Sequence, residues 1–312
     1  MPNYTHKPVM VAEVVAALRV VPGGRYVDGT IGGGGHAAAI LAAGAPTAWL
    51  YGCDRDGAAC DAARTNLAAF AGRFEIRHDN YAGLADWVPL SSCDGVLLDL
   101  GVSSPQLDEP VRGFSFQHDG PLDMRMDRRQ PLTAAGLVNE ASADVLARIF
   151  WELGGERNAR RLARAIVRER ERRPFEKTRQ LAELIERWHP RLSRTLHPAT
   201  KIFQALRMAV NDELGSLERG LAGALKILKP GGRLAVITFH SGEDRMVKDF
   251  GRARARDYAF NGGMDVPELR EPRAPELCWV RRKPIRACAT EVAANPRSRS
   301  AQLRVMEKCK NR

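Results

Sequence analysis

Arg25-Tyr26-Val27-Asp28-Gly29-Thr30-Ile31-Gly32-Gly33-Gly34-Gly35-His36 is the stretch on which the reading of this chain turns. Tyr26 and Val27, after Arg25, run into an acid and then into a cluster of glycines. The alanine-rich segment from Ala37 to Ala43 follows and reads as a helix. A strand that enters a glycine turn and leaves as a helix brings backbone close to a nucleotide-like ligand, because glycine supplies the turn and has no Cβ to hold the ligand off. No Gly-Lys-Ser/Thr follows, so the turn is not a phosphate-binding P-loop. Gly32-x-Gly34-x-x-Ala37 overlaps the dinucleotide fingerprint, and taken alone it leaves a dinucleotide open.

Working outward, the same alternation repeats. Trp49 to Asp54 reads as a second strand, Asp56 to Phe70 as a helix, Phe74 to Asp79 as a third strand and Asp94 to Asp99 as a fourth. Strand and helix alternating at this spacing predict a parallel sheet with crossover helices. Asp28, Asp54, Asp79 and Asp99 each close one of the four strands. An open α/β sheet binds ligands at the carboxyl ends of its strands. Four acids there suit a zwitterionic, cationic sulfonium better than a pyrophosphate. Asp54 is placed for the ribose hydroxyls, Asp79-Asn80-Tyr81 for an adenine, and Asp28 for the positive end of a bound amino acid.

After Gly101 the pattern changes. Residues 102–132, rich in Pro, Gly, Asp and Arg, predict a long ordered loop. Helices are expected over 142–153, 156–173, 178–189 and 199–212, separated by Pro174, Pro190 and Pro198. The alternation resumes with a helix over 213–228, closed by Lys229-Pro230-Gly231-Gly232, and a strand over Arg233–Phe239. Trp279–Lys283 and Ala301–Glu307 are candidate final strands. The expected organisation is one α/β domain in two segments, 1–104 and 213–312, with 105–212 inserted as a lid loop and helical substrate domain.

The net charge of +11 is uneven: −3 over residues 1–104, +5 over 105–212 and +9 over 213–312. A polyanion partner and a solvated arginine-rich surface both fit that excess. The six cysteines, Cys53, Cys60, Cys93, Cys278, Cys288 and Cys309, form no Cys-x-x-Cys pair and sit near no histidine at zinc spacing. Reduced, mostly buried thiols and no metal are expected. No apolar run approaches the roughly 20 residues of a bilayer span, and Met1–Lys7 lacks the layout of a signal peptide, so a cytoplasmic protein without a membrane partner is expected.

The most distinctive stretches lie beyond the glycine turn. Asp94-Gly95-Val96-Leu97-Leu98-Asp99-Leu100-Gly101-Val102-Ser103-Ser104-Pro105-Gln106-Leu107-Asp108 is one, Arg112-Gly113-Phe114-Ser115-Phe116 a second, and Asp119-Gly120-Pro121-Leu122-Asp123-Met124-Arg125-Met126-Asp127 a third. Together with Asp28-Gly29-Thr30, Gly34-Gly35-His36, His197-Pro198-Ala199-Thr200, Phe203-Gln204-Ala205-Leu206-Arg207, Phe239-His240-Ser241, Glu243-Asp244-Arg245 and Asn295-Pro296-Arg297-Ser298-Arg299-Ser300, they resemble the bacterial small-subunit ribosomal RNA methyltransferase H family, also called MraW. The matches span nearly the whole chain in order.

The resemblance implies a class I methyltransferase fold with a helical insertion. It implies S-adenosylmethionine as cofactor, and methylation of a cytidine N4 in 16S rRNA at the peptidyl site of the decoding centre of the small ribosomal subunit. By position it places cofactor contacts on Gly34, Gly35, His36, Asp54, Tyr81, Asp99 and Gln106. The family often carries Phe where Tyr81 stands, and an aromatic ring is kept. Gly242, in place of an apolar residue, and the stretch 252–277 depart from the family pattern. Many amino-methyltransferases follow the fourth strand with Asn/Asp-Pro-Pro-aromatic; here only the leading acid, Asp99, is present. Asp99 is therefore the candidate for the target amine or for the cofactor's amino group. Ser103, Ser104 and His240 are further candidates for contacting the base, and Phe114, Phe116 and Trp151 for stacking on it. Arg112, Arg125, Arg128 and Arg129, and the arginine-rich helix at 156–173 with Arg160, Arg161 and Arg164, are candidates for phosphates. A nicotinamide dehydrogenase and a non-catalytic RNA-binding factor are the competing readings; monomer and homodimer stay open.

Overall fold

A computed structural model describes residues 8–188, 197–260 and 265–310. The expectations for Met1–Lys7, for the helix end at 189 and for Pro190 lie outside the described residues, as does part of the stretch 252–277. The chain divides into two compact units, Met1–Gly101 with Gly215–Arg312, and Val102–Leu214.

The first unit is a mostly parallel sheet. β1 (Arg25–Asp28), β2 (Trp49–Asp54), β3 (Phe74–His78), β4 (Cys93–Asp99) and β5 (Leu228–Thr238) are joined by parallel pairings in the order β3-β2-β1-β4-β5. A small antiparallel pair, β6 (Tyr258–Phe260) and β7 (Arg270–Pro272), stands apart from the sheet. β8 (Leu277–Trp279), β9 (Ile285–Arg286) and β10 (Gln302–Lys308) complete the sheet, with β10 antiparallel to β5, β8 and β9. The strand order reverses between β1 and β4, and at such a switch point the crossover helices diverge and leave a crevice. The helices of this unit are α1 (Val11–Leu18), α2 (Gly35–Ala43) and α3 (Gly57–Asn66). In the second unit lie α4 (Ser104–Asp108), α5 (Ala134–Glu140), α6 (Ala143–Glu152), α7 (Ala159–Arg170), α8 (Thr178–Trp188) and α9 (Ala199–Val210). α10 (Glu213–Ile227) starts at the boundary, and α11 (Ser241–Arg254) and α12 (Ala289–Ala294) return to the first unit.

The strands read as continuous apolar runs because both faces of the sheet are covered. Tyr26, Leu97, Ala235 and Ile237 enter one core cluster, with Val14, Leu18, Ile40 and Leu41. Their neighbours Val27, Val96, Leu98, Leu234 and Val236 enter the other, with Leu84, Leu221, Leu225 and Val247. The period of two along each strand thus divides one apolar run between two cores.

Several boundaries differ from expectation. Asp56 is the N-cap of α3, its Oδ1 accepting from Ala58 N at 3.1 Å; the helix ends at Asn66, and a 3-10 turn carries the chain to Phe70. β5 begins five residues early. Cys93 pairs with Leu228 and Gly95 with Arg233, so Lys229-Pro230-Gly231-Gly232 ends α10 and also forms a bulge inside the strand. The candidate strand Trp279–Lys283 is instead the shorter β8, ending at Trp279. Cys53, Cys60 and Cys93 are buried, but Cys278 and Cys288 are exposed and Cys309 is intermediate, so burial holds for half of the cysteines. Among the described residues no helix is long and apolar enough to cross a membrane.

The second unit packs around Leu146, Phe150, Leu162, Ile166, Leu184, Ile185, Ile202 and Leu206. The expected loop 102–132 is broken by α4 and a 3-10 turn at Pro110–Arg112. α5, which the sequence did not announce, starts at a Thr133 cap whose Oγ1 accepts from Gly136 N at 3.0 Å.

Candidate functional site

The glycine turn is built by specific ties. Gly34 N donates to Ile31 O at 2.7 Å and Gly32 N to Asp54 Oδ2 at 2.9 Å. Asn66 Nδ2 donates to Gly33 O at 2.9 Å. Gly34 has φ +83° at the N-cap of α2, a left-handed conformation that side chains resist, and a Cβ there would stand 3.3 Å from Ala63 Cα. A Cβ on Gly29 would meet Leu98 Cδ2 at 2.6 Å and Tyr81 Cβ at 2.9 Å. The backbone is therefore pressed onto β4 and the Tyr81 segment.

Around this turn the first unit gathers Asp28, His36, Asp54 and Asp99. Register places Asp28 opposite Gly52 and Leu97, and Asp99 opposite Ile237, so both acids stand at carboxyl ends of adjacent strands. Asp28 is 1% exposed; its Oδ1 accepts from Thr30 N at 3.2 Å, and its Oδ2 has no partner. His36 is buried, with Nε2 3.5 Å from Asp99 Oδ2, the outer limit of an interaction. Neither ring nitrogen of His36 makes a hydrogen bond, and Asp99 Oδ1 has no partner. An unsatisfied buried polar atom costs about 1–3 kcal/mol, and four of them around one glycine turn, Asp28 Oδ2, both His36 ring nitrogens and Asp99 Oδ1, mark a place for a polar ligand.

The electrostatics agree. Burial pushes the Asp28 carboxyl up to about 7; the charges of Asp99 and Asp54 add to this, while His36 and the Thr30 N–H oppose it. Burial pushes Asp54 to about 6 against the N–H groups of Asp56 and Gly32. For His36 burial favours the neutral ring, but the close approach and charge of Asp99 and the charge of Asp28 outweigh it, and its pKa is raised. The site is short of positive charge: one imidazole faces Asp28 and Asp99. A cationic, zwitterionic ligand fits this donor set, and the cramped glycine backbone fits a ligand that lies on it.

The other predicted residues divide. Tyr81 packs in the same unit, buried, with Gly220 of α10 against its ring; a Cβ on Gly220 would meet Tyr81 Cδ2 at 2.4 Å. Asp54 engages both oxygens within the turn, accepting from Gly32 N and, at 2.9 Å, from Asp56 N. Asp79 lies one residue beyond β3 and is exposed, so it does not join the three buried or half-buried acids. His240 caps α11: its Nδ1 accepts from Gly242 N at 3.2 Å and Glu243 N at 3.4 Å, and its Nε2 lies 3.1 Å from Glu243 Oε1. A Cβ on Gly242 would stand 3.1 Å from that Nδ1, so the departure at 242 gives the ring room. Ser103 and Gln106 belong to the second unit, where Gln106 Oε1 accepts from Ser103 N at 3.1 Å in a capping box on α4.

In that unit Phe114 is core and Phe116 stacks near His197 and Phe203, at 4.5 and 4.9 Å between centroids, whereas Trp151 is 60% exposed. Three of the four loop arginines are internal ties. Arg112 donates to Arg125 O and Met126 O, Arg125 pairs with Asp123 at 2.7 Å, and Arg129 pairs with Asp127 at 2.8 Å. These ties hold the loop in shape; Arg112 is buried and Arg125 half-buried, while Arg128 and Arg129 are exposed.

Sequence reading passed over Thr30, Asn66 and Gly220. Thr30 Oγ1 accepts from Asp99 N at 2.7 Å and so fixes the end of β4. A glycine inside a helix costs about 1 kcal/mol relative to alanine, and that cost was the available signal at Gly220.

A mostly parallel sheet with this switch point, glycine turn and set of acids defines an S-adenosylmethionine-dependent methyltransferase. The chain belongs to the MraW methylase family, which it matches over residues 3–309. It is 52% identical over 310 residues to the ribosomal RNA small subunit methyltransferase H of Symbiobacterium thermophilum, covering 98% of this chain and 97% of that one. It is 51% identical over 317 residues to the protein of that name from Citrifermentans bemidjiense, with 99% and 100% covered. It is 50% identical over 300 residues to that of Rhizobium etli, with 96% and 86% covered.

Proposed function

We propose that this protein transfers the methyl group of S-adenosylmethionine to the exocyclic N4 of a cytidine in 16S rRNA, at the peptidyl site of the decoding centre. Its place of action on this reading is the cytoplasm. Small-subunit rRNA as substrate is supported by the relatives, which carry that activity in their names. The N4 position is supported by the leading acid Asp99 at the end of β4, where amino-methyltransferases hold an amine. The observation that carries the chemistry is the pair of acids, Asp28 buried and Asp99 half-buried, each with one oxygen unpartnered and both acting on the charge of His36.

The cofactor supplies an already activated methyl carbon, so the protein's task is placement. Asp28, the more buried acid, holds the cofactor's ammonium. Asp54 receives the ribose hydroxyls on lone pairs left after its two backbone bonds. Tyr81, backed by Gly220, forms the wall for adenine, and Gly34 and Gly35 let the backbone approach. This leaves Asp99 Oδ1 for the N4 amine of cytosine. Its lone pair is conjugated with the ring, and a carboxylate accepting from N–H favours the geometry in which the nitrogen attacks. His36 stands 3.5 Å from the other oxygen of Asp99, whose charge favours the protonated ring. In-line placement of amine and methyl carbon then supplies most of the rate. For Ser103 and Gln106 the motif match is the support; His240, held by its cap, presents a fixed ring near the end of β5.

The test is methyl transfer from labelled cofactor to small ribosomal particles that lack the modification, with the modified nucleoside identified by mass. N4-methylcytidine is expected. A methyl group on carbon or on a ribose oxygen overturns the assignment. Asp99→Ala is expected to lose turnover with cofactor affinity largely kept; an unchanged rate removes Asp99 from the chemistry.

A further inference from the structure

The second unit carries one surface that this chemistry does not use. α7 buries Ala159, Leu162, Ala163, Ala165 and Ile166. On its other side Arg157, Arg161, Arg164, Arg168 and Arg172, in and flanking the helix, recur at spacings of four, three, four and four, and all are exposed. They form one line down the solvent side. Among the described residues none of the five forms an ion pair, although Glu156, Glu169 and Glu171 adjoin Arg157, Arg168 and Arg172 in sequence; Glu169 lies 3.8 Å from Arg187 of α8 instead. Like charges at these spacings repel and weaken a helix, so an unneutralised line of this length is poised for a polyanion.

A second observation says more about the partner. Trp188, the last residue of α8, is 36% exposed. The Arg161 guanidinium lies 5.2 Å and that of Arg168 5.4 Å from its ring centre. A cation over an indole face is held there, so two members of the line are fixed beside an accessible aromatic edge. Resting on the ribosomal RNA reading above, we infer that the α7 arginine line and Trp188 dock a single-stranded segment of the RNA, with phosphates on the arginines and an unstacked base against the Trp188–guanidinium group. Planar guanidinium forks match phosphate oxygens two at a time. Unpaired bases stack on aromatic rings and on guanidinium planes, which a duplex with its bases inside cannot offer. An acidic peptide would use the charges and leave the ring idle.

The experiment measures binding of a short labelled single-stranded RNA, and of a duplex of the same length, to the full chain across a salt series. Trp188→Leu is expected to weaken the single strand by about tenfold and the duplex little, with Trp188→Phe restoring most of the loss. Arg161→Gln with Arg168→Gln is expected to lower the slope of log affinity against log salt for the single strand by about 1.4. The circular dichroism spectrum and its thermal transition, measured alongside, report that the helical unit of the variants folds. Unchanged affinity and slope in folded variants overturn the inference. Equal losses for strand and duplex on Trp188→Leu overturn the single-strand assignment. If the wild-type chain methylates ribosomal particles while these variants bind RNA normally, this surface is wrong and the RNA reading stands. If the wild-type chain transfers no methyl group to RNA, the reading itself fails.

Discussion

Asp28 concentrates the chemistry of a single residue. Its folded pKa of about 7 lies above the usual carboxyl value of about 4. Between those limits the folded chain binds more protons than the unfolded one, so the stability this group contributes is greatest below pH about 4 and falls as pH rises to about 7. Cofactor binding runs the other way, because an ammonium requires the carboxylate. S-adenosylmethionine affinity is expected to rise between pH about 5.5 and 8, with Asp54, at about 6, adding to the lower part. Asp28→Asn should weaken binding at pH 8 by about 10- to 100-fold, the range of a lost charged hydrogen bond, and flatten the upper part of the profile. Titration calorimetry at several pH values checks both. An Asp28→Asn profile as steep as the wild type's would move the titration to another group. The sequence named Asp28, Asp54 and Asp99 through their positions at strand ends. It did not separate Asp79 from them, because one extra residue after β3 turns that side chain to solvent, and burial is not legible in a strand of five.

At the scale of elements, the glycines record packing more than flexibility. Gly220 sits inside α10 with Tyr81 against it, and the added methyl of Gly220→Ala would fall 2.4 Å from the ring. Alanine favours the helix by about 1 kcal/mol, but overpacking costs about 1–3 kcal/mol, and the ring must shift. The expected outcome is a weaker adenine site with little change in helicity: cofactor affinity falls severalfold while the circular dichroism spectrum is retained. Affinity that matches the wild type's would show that Tyr81 does not form the adenine wall. The same scale explains which elements were legible. β1, β2 and β4 are apolar runs ended by an acid, and α6 to α9 carry clear apolar periodicity, so their ends fall within a few residues of expectation. α5, seven residues long, is too short to show a period. The early start of β5 depends on a bulge opposite Cys93 and Gly95, which exists only because β4 is alongside.

For the molecule as a whole, the cofactor is a folding ligand of the first unit. At a concentration a hundred times its dissociation constant it should raise the stability of that unit by about 2.7 kcal/mol. Hydrogen exchange of the slowest amides in β1, β2 and β4 is expected to slow accordingly on adding S-adenosylmethionine. Unchanged exchange of those amides at saturating cofactor would remove the ligand from the β1–β4 crevice. The uneven charge, −3 over residues 1–104, +5 over 105–212 and +9 over 213–312, does not divide by unit, because the first unit holds both the acidic and the most basic segment; the complementarity is local. An acidic set of strand ends suits a cationic cofactor, and an arginine-lined helix suits an RNA.

By itself the sequence determined the alternation of strands and helices, the glycine turn, the acids at the strand ends and the family, since each is written in neighbouring residues or in motifs of fixed order. Only the tertiary structure decided which polar groups are engaged. It spent Arg112, Arg125 and Arg129 on holding their own loop. It spent His240 on capping α11, and it left Asp28 and Asp99 each with one oxygen unsatisfied. The physical reason is that burial and pairing depend on partners far away in sequence. Asp99 owes its position to Thr30, 69 residues earlier, and Tyr81 its place to Gly220 on α10. No local pattern carries that information.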